Sequence, residues 1–257
     1  MLIVGVDCAT EDARIGLALA ERPNGRARLL EARACAKDAP AADTILEWLR
    51  ERGRPVLFAI DAPLGWPQPL GTALVGHRAG QRVDVAPNEL FRRTTDRFVQ
   101  QHLGKTPLDV GADRIARTAH AALRLLGDLA ERLPGPIPLA WSSEGLTAMS
   151  AIEVYPAATL LVRGWPSTGY KTPADAKRRR AIVDCLPSVL DLGAHAGALE
   201  ANPDVLDAAL CVVAAVDVLD DVCPCPANRP EAEREGWIWT RCGLTRLSAR
   251  GTPGSCR

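Results

Sequence analysis

The sequence predicts an α/β fold, and three observations lead to this prediction. Strand-like runs at residues 2–9, 14–21 and 27–36 are separated by short turn signals, which predicts a three-stranded antiparallel meander. Residues 41–52 follow with apolar side chains at helical spacing. The continuous apolar run at 55–60 is then typical of a buried parallel strand. The chain therefore begins with the order β-β-β-α-β.

The rest of the chain predicts mainly helices. Residues 62–111 are rich in proline and glycine and predict an irregular segment, whereas 112–133 carries an apolar stripe and predicts a long helix. A strand is predicted at 150–155, and Pro156 opens the helix after it. We also expect a basic helix at 172–186, a central helix from 202 to about 221 and a terminal hairpin at 236–247.

Length and composition are consistent with one large core. The chain has 257 residues, of which 47% are hydrophobic, so we predict a single domain over 1–257 with a loop-rich helical insertion at 62–150. Basic and acidic side chains balance at 31 each, which argues against a protein held on nucleic acid by bulk charge. No apolar run is long enough to span a membrane and no basic leader precedes the first strand, so we expect a cytoplasmic protein.

Eight cysteines raise the question of zinc or disulfides. Four stand singly in apolar surroundings, which is typical of reduced core cysteines. The other four lie toward the C-terminus at spacings that fit zinc poorly, and disulfides are unexpected in a reducing compartment. We therefore expect neither at the C-terminal group, which consists of Cys223, Cys225, Cys242 and Cys256.

Four acidic residues beside apolar runs are the most informative feature of the sequence. They are Asp7, Asp61, Glu153 and Asp207. Burying a carboxylate is unfavourable unless a cation compensates its charge, and carboxylates are ligands that magnesium prefers. We therefore expect these acids to converge on a site for Mg²⁺ or Mn²⁺, with Asp204 as a further ligand from the same helix face as Asp207.

Each acid also has a structural interpretation, which the sequence leaves open. Asp7 could cap a hairpin, and Asp61 could form a turn at the end of its strand. Glu153 alternates with two apolar neighbours, so a solvated strand face would explain it equally well. Asp204 lies in the first helical turn, where an acid complements the helix dipole. Asp207 lies deeper in the helix, has the least structural reason to be charged, and is therefore our choice of helical ligand.

Basic residues in two segments are candidates for contacts with phosphate. We assign Arg92, Arg93 and Lys171 to substrate binding because they lie in predicted loops. The basic run at 177–180 is explained more simply as a solvated helix face. Residues 94–96 could form a capping cluster between helices rather than contact substrate.

Five short motifs occur in an order that resembles a known family. They are Val4-Gly5-Val6-Asp7, Ile60-Asp61-Ala62-Pro63-Leu64-Gly65, Arg92-Arg93-Thr94-Thr95-Asp96, Glu153-Val154-Tyr155-Pro156 and Asp207-Ala208. This order resembles the predicted RNase H-like nucleases catalogued as domain of unknown function 429. The resemblance implies the ribonuclease H-like fold, a mixed five-stranded sheet of order 3-2-1-4-5 flanked by helices. It also implies that Asp7 is the central ligand on strand one, that Asp61 ends strand four and that Asp207 is the helical acid.

We therefore expect a metal-dependent nuclease that acts on nucleic acid. Two bound Mg²⁺ or Mn²⁺ ions would activate water for phosphodiester hydrolysis. A non-catalytic module that binds nucleic acid or protein on the same fold is the main alternative. A phosphotransferase of the sugar kinase and actin type fits less well, because the segment after Asp7 lacks a glycine-rich phosphate loop and carries Glu11 and Asp12.

Overall fold

One mixed sheet organises the protein. The computed structural model describes residues 1–241 except 24, 51, 53, 54, 112, 145 and 147. Within these residues the sheet has seven strands in the order β6-β3-β2-β1-β4-β5-β7. The strands are β1 (Leu2–Asp7), β2 (Gly16–Glu21), β3 (Ala27–Ala34), β4 (Val56–Asp61), β5 (Ser150–Val154), β6 (Leu190–Asp191) and β7 (Ile238–Trp239).

The prediction of five strands is wrong, although the central five strands have the predicted order 3-2-1-4-5. β6 adds one strand beside β3, and β7 adds another beside β5. Each added strand has only two residues, which is too short to produce a recognisable alternation in the sequence. The predicted meander is confirmed, since β1, β2 and β3 pair antiparallel, whereas β4 and β5 run parallel to β1.

Ten α-helices lie within the described residues. They are α1 (Ala41–Leu49), α2 (Gln68–Leu74), α3 (Pro87–Phe91), α4 (Thr94–Leu103), α5 (Asp113–Arg132), α6 (Pro156–Val162), α7 (Ala176–Val183), α8 (Ala196–Ala201), α9 (Pro203–Leu219) and α10 (Arg229–Glu235).

The sequence prediction was wrong for the segment that follows β4. Residues 62–111 were expected to be irregular but contain α2, α3 and α4, which have five to ten residues each and show no long apolar stripe. The basic helix expected at 172–186 is shorter, because a 3₁₀ turn at Pro173–Asp175 precedes α7. The expected hairpin at 236–247 is only partly described: β7 pairs parallel with β5, and residues 242–257 lie outside the described part of the chain.

Helices cover both faces of the sheet, and strand alternation decides which residues meet them. Ile3, Leu57 and Ile152 pack with α9 on one face. The residues next to them, such as Val4 and Phe58, pack with α1 and α5 on the other face. Helix α9 is buried from Val205 to Val218, as expected for a central helix.

Two glycines let α9 lie directly on the strands. A Cβ atom on Gly5 of β1 would lie 2.1 Å from the carbonyl oxygen of Ala208, and one on Gly16 of β2 would lie 1.9 Å from that of Asp204. Any larger residue would push the helix away from the sheet. These contacts place the first two turns of α9, including Asp207, over the end of β1.

The cysteines follow the sequence prediction only in part. Cys8, Cys35, Cys185 and Cys211 are free thiols, and none of them joins a group with metal-binding geometry in the described residues. Cys225 forms a disulfide, so the expectation of no disulfide in the C-terminal group is wrong. That expectation rested on compartment and not on geometry. Cys242 and Cys256 lie outside the described residues.

None of the helices in the described part of the chain combines the length and the hydrophobicity that a membrane crossing requires.

Candidate metal centre

Three aspartates from separate elements meet at one end of the sheet. Asp7 ends β1, Asp61 ends β4, and the two residues are direct partners across the parallel strand pair. Asp207 comes from the second turn of α9 and is 0% exposed. One carboxylate oxygen from each residue lies within 4.8 Å of the others. We call Asp7, Asp61 and Asp207 the aspartate cluster.

The aspartate cluster concentrates negative charge in a poorly solvated place. Burial, followed by repulsion from Asp207 and Asp61, raises the pKa of Asp7 well above its ordinary value. Burial and the charge of Asp207 likewise raise the pKa of Asp61 to about 7. Three carboxylates this close are unfavourable as anions unless positive charge is supplied. The cluster therefore has the electrostatic character of a cation site.

Asp207 has two polar partners of its own. The hydroxyl of Tyr170 donates a hydrogen bond of 2.8 Å to Asp207 Oδ1, and the ammonium of Lys171 forms an ion pair with Oδ2. Burial raises the pKa of Asp207, whereas both partners lower it. The Lys171 side chain remains 58% exposed, whereas the Asp207 side chain that it pairs with is 0% exposed. The structure thus brings the predicted substrate-binding residue Lys171 to the acids.

A buried arginine holds the loop that carries these two partners. The Arg179 guanidinium donates hydrogen bonds to the carbonyl oxygens of Tyr170, Thr172 and Glu200, at 2.9, 2.6 and 2.6 Å. Arg179 is 2% exposed. The sequence predicted a solvated helix face for residues 177–180. Arg179 differs from that prediction because its side chain points inward and has a structural role.

Glu153 lies on the opposite face of the sheet from the aspartate cluster. Its neighbours Ile152 and Val154 pack with α9, so alternation turns Glu153 toward the other side, as the sequence indicated. There it is 4% exposed and forms a bidentate ion pair with Arg93, with nitrogen–oxygen distances of 2.8 and 2.7 Å. Its Oε2 also accepts a hydrogen bond from the backbone N–H of Leu64 at 2.9 Å. Glu153 is therefore neither solvated nor part of the group with metal-binding geometry.

Arg93 is the centre of a buried network. Besides Glu153 it contacts Asp96, 3.0 Å from its Nη2, and donates to the carbonyl oxygen of Glu235 at 3.1 Å. The Glu235 carboxylate in turn accepts hydrogen bonds from the backbone N–H groups of Thr94 and Gln68, at 2.8 and 2.7 Å. The network fastens the segment after β4 to the sheet, and Arg93, at 1% exposure, has no surface to offer a phosphate.

The remaining candidates are not members of the aspartate cluster. Arg92 is at the surface, where it pairs with Asp109 at 3.0 Å. Asp204 is half-buried and outside the three-carboxylate group, although its charge contributes to the raised pKa values of Asp7 and Asp207. The capping alternative for residues 94–96 is confirmed by the capping box that Asp96 makes at the start of α4.

Sequence reasoning missed three residues that shape this region. Tyr170 could have been found through its position next to Lys171. Arg179 was hidden within a charged run, and Glu235 lies in a polar stretch that gives no sign of burial. The partners of Arg179 and Glu235 described above are backbone groups, those of Glu235 more than 100 residues away, and no sequence pattern identifies such partners.

The donor set of the aspartate cluster fits a hard divalent cation. All three ligands are carboxylates, which suit Mg²⁺ or Mn²⁺, and no thiol or imidazole belongs to the group in the described residues. Asp7, Asp61 and Asp207 are the residues that would hold it.

Comparisons with known proteins add a family and two weak structural likenesses. The structure of Thermus thermophilus RuvC in complex with a Holliday junction substrate is 18% identical, with a TM-score of 0.17, and the match covers 51% of this chain and 96% of that one. A second Thermus thermophilus RuvC structure is 19% identical, with the same TM-score and coverage. A TM-score this low carries no argument about fold or activity. No curated protein matches the chain.

The family model described as "Protein of unknown function (DUF429)" matches residues 5–231. The matched region begins in β1, ends in α10 and includes every residue of the aspartate cluster. The chain therefore belongs to this DUF429 family.

Proposed function

We propose that this protein is a divalent-metal-dependent nuclease of RNase H-like type, which hydrolyses phosphodiester bonds with Mg²⁺ or Mn²⁺. One observation carries the proposal: carboxylate oxygens of Asp7, Asp61 and Asp207 lie within 4.8 Å of one another. Charge repulsion opposes this arrangement, and a bound cation is the simplest agent that removes the repulsion.

The topology supports the RNase H-like part of the proposal. Strands β3, β2, β1, β4 and β5 follow the order 3-2-1-4-5, and the acids end the first and fourth strands and lie on a late helix. This is the arrangement that the sequence resemblance implies. β6 and β7 extend that sheet at its edges and leave the acid-bearing strands at its centre.

The residues around the cluster have distinct roles in this proposal. A divalent cation bound there would lower the pKa of water and stabilise charge on a phosphate oxygen. Asp7, Asp61 and Asp207 would hold the cations, with Asp7 as the shared ligand if two are bound. Tyr170 would keep Asp207 oriented, and Lys171, which pairs with Asp207 in the absence of metal, would face the phosphate.

Calorimetric titration with Mn²⁺ tests this function directly. Wild type is compared with the double variant Asp7→Asn/Asp207→Asn, and Asp43→Asn serves as a control because Asp43 is an exposed acid that pairs with Arg132. Cleavage of labelled DNA and RNA is measured on the same samples. We expect binding and cleavage to be lost only in the double variant. A double variant that is folded and still binds Mn²⁺ as the wild-type protein does would refute the proposal.

A non-catalytic module remains the second candidate, and one observation favours it. The ion pair between Lys171 and Asp207 already compensates one carboxylate without a metal. A protein of this kind would bind nucleic acid equally well in EDTA and in Mn²⁺ and would cleave in neither. The titration above separates the two functions.

A further inference from the structure

The surface of α5 carries a row of basic side chains that no function above uses. Arg114, Arg117, His120 and Arg124 follow one another at intervals of three, three and four residues, so they share one side of the helix. All four are exposed. The opposite side of α5 packs into the core through Ala119, Ala122, Leu125, Leu126 and Leu129. We call the four exposed residues the α5 basic row.

The α5 basic row is not neutralised by the rest of the described chain. Arg132, at the end of the same helix, pairs with Asp43 at 2.6 Å. By contrast, Arg114, Arg117 and Arg124 make no ion pair or side-chain hydrogen bond with any described residue. Like charges on successive turns repel one another, and an unpaired basic row is the electrostatic mark of a surface for polyanions.

The row borders an open cleft near the end of β1, on the sheet face that α1 and α5 cover. Arg117, His120 and Arg124 line this cleft together with Thr10, and its volume is about 340 Å³. Thr10 follows Asp7 by three residues, so their Cα atoms are at most about 11 Å apart. That distance corresponds to roughly three base-pair steps of 3.4 Å. The cluster faces the α9 side of the sheet and α5 covers the other side, so a strand that contacts both would pass around the end of β1.

Neighbouring charges limit the path of such a strand. The adjoining cleft, of about 180 Å³, is lined by Asp12 and Asp128 as well as Arg124. Two carboxylates make that cleft unfavourable for phosphate. We therefore expect the anion path in the cleft that Thr10, Arg117 and His120 line, with Arg124 at the border between the two clefts.

We propose that Arg117 and Arg124, assisted by His120 and the Thr10 hydroxyl, bind the phosphodiester backbone of a nucleic acid at the end of the sheet where β1 ends. The proposal rests on the proposed nuclease function and adds to it the surface that positions the substrate. It also replaces Arg93 as a phosphate ligand, because Arg93 is committed to Glu153 and Asp96. A membrane surface is less suitable as the partner, since the apolar side of α5 is buried and unavailable for insertion.

Fluorescence anisotropy with a labelled 20-base-pair DNA duplex and a labelled single-stranded RNA, both in EDTA, tests the proposal. The variant is Arg117→Gln/Arg124→Gln. Its control is Arg26→Gln/Arg28→Gln, which changes the net charge equally at the opposite end of the sheet, where Arg28 lies level with Glu21 and Leu2. We expect the α5 variant to weaken duplex binding about tenfold or more at 50 mM salt. The slope of log K against log salt should fall by about 1.8, the contribution of two phosphate contacts.

Several results would overturn the proposal. Equal affinities of the α5 variant and its control would do so, as would a wild-type protein that binds neither probe at 50 mM salt. Binding of anionic phospholipid vesicles without binding of either nucleic acid would assign the row to membranes and would equally refute it.

The nuclease proposal can fail independently of this one. If the α5 variant loses duplex affinity but wild type neither binds Mn²⁺ nor cleaves, the binding surface stands and the nuclease function falls. If wild type cleaves with Mn²⁺ and the α5 variant cleaves and binds like its control, the reverse conclusion follows.

Discussion

Replacing Gly5 with alanine should disturb the aspartate cluster through the helix that carries Asp207. The new Cβ would lie 2.1 Å from the carbonyl oxygen of Ala208, and real Cβ atoms do not approach other atoms within 3.0 Å, so α9 must recede by about 1 Å. Overpacking of this kind lowers the free energy of unfolding by about 1–3 kcal/mol. Asp207 precedes Ala208 and must move with it, so we expect Mn²⁺ affinity to fall by about 10- to 100-fold.

Urea denaturation and Mn²⁺ calorimetry measure these two effects separately. Gly127→Ala is the matched control, because Gly127 lies inside α5 with no atom within 4 Å of its would-be Cβ. That variant should be stabilised by up to about 1 kcal/mol and should bind Mn²⁺ normally. If Gly5→Ala keeps both wild-type stability and wild-type Mn²⁺ affinity, close packing of α9 on β1 does not position Asp207.

Three further predictions concern the buried charges. Arg93→Ala leaves Glu153 buried without its cation and should cost about 3–5 kcal/mol in urea denaturation, whereas a loss below 1 kcal/mol would contradict the assigned network. The pKa of Asp61 is raised to about 7, so its ionisation opposes folding of the metal-free protein as pH rises from about 4 through 7. Thermal melts in EDTA should therefore show a loss of stability over this pH range. Replacing EDTA with Mg²⁺ should reverse the loss, and Asp61→Asn should remove it. An unchanged pH dependence in that variant would argue against the raised pKa of Asp61. Lys171→Ala removes a competing cation from Asp207, so we expect Mn²⁺ affinity to rise about three- to tenfold and cleavage to fall. Weaker Mn²⁺ binding of this variant in calorimetry would contradict this prediction and show that Lys171 supports the metal site.

The strands that carry the acids could be predicted because their signals are local. Turn residues separate β1, β2 and β3, and the apolar run before Asp61 identifies β4. Parallel pairing then brings Asp7 and Asp61 together, since the carboxyl ends of parallel strands meet at one edge. β6 and β7 escaped prediction because their two-residue pairings depend on distant parts of the chain.

Glu153 illustrates the limit of pattern-based reasoning about a site. Alternation along β5 correctly turned it away from the face that α9 covers. The identity of its partner could not follow from the pattern, because Arg93 lies 60 residues earlier in a segment that was expected to be irregular. Glu153 holds the turn after Asp61 through the hydrogen bond that its carboxylate accepts from the backbone N–H of Leu64.

The most direct test of the account is an anomalous-difference map from crystals of the protein grown with Mn²⁺. The account predicts a peak at coordination distance, about 2.0–2.2 Å, from carboxylate oxygens of Asp7, Asp61 and Asp207. The absence of a peak there at millimolar Mn²⁺, with the ion pair between Lys171 and Asp207 retained, would contradict it. In that case the aspartate cluster would be compensated by the protein alone.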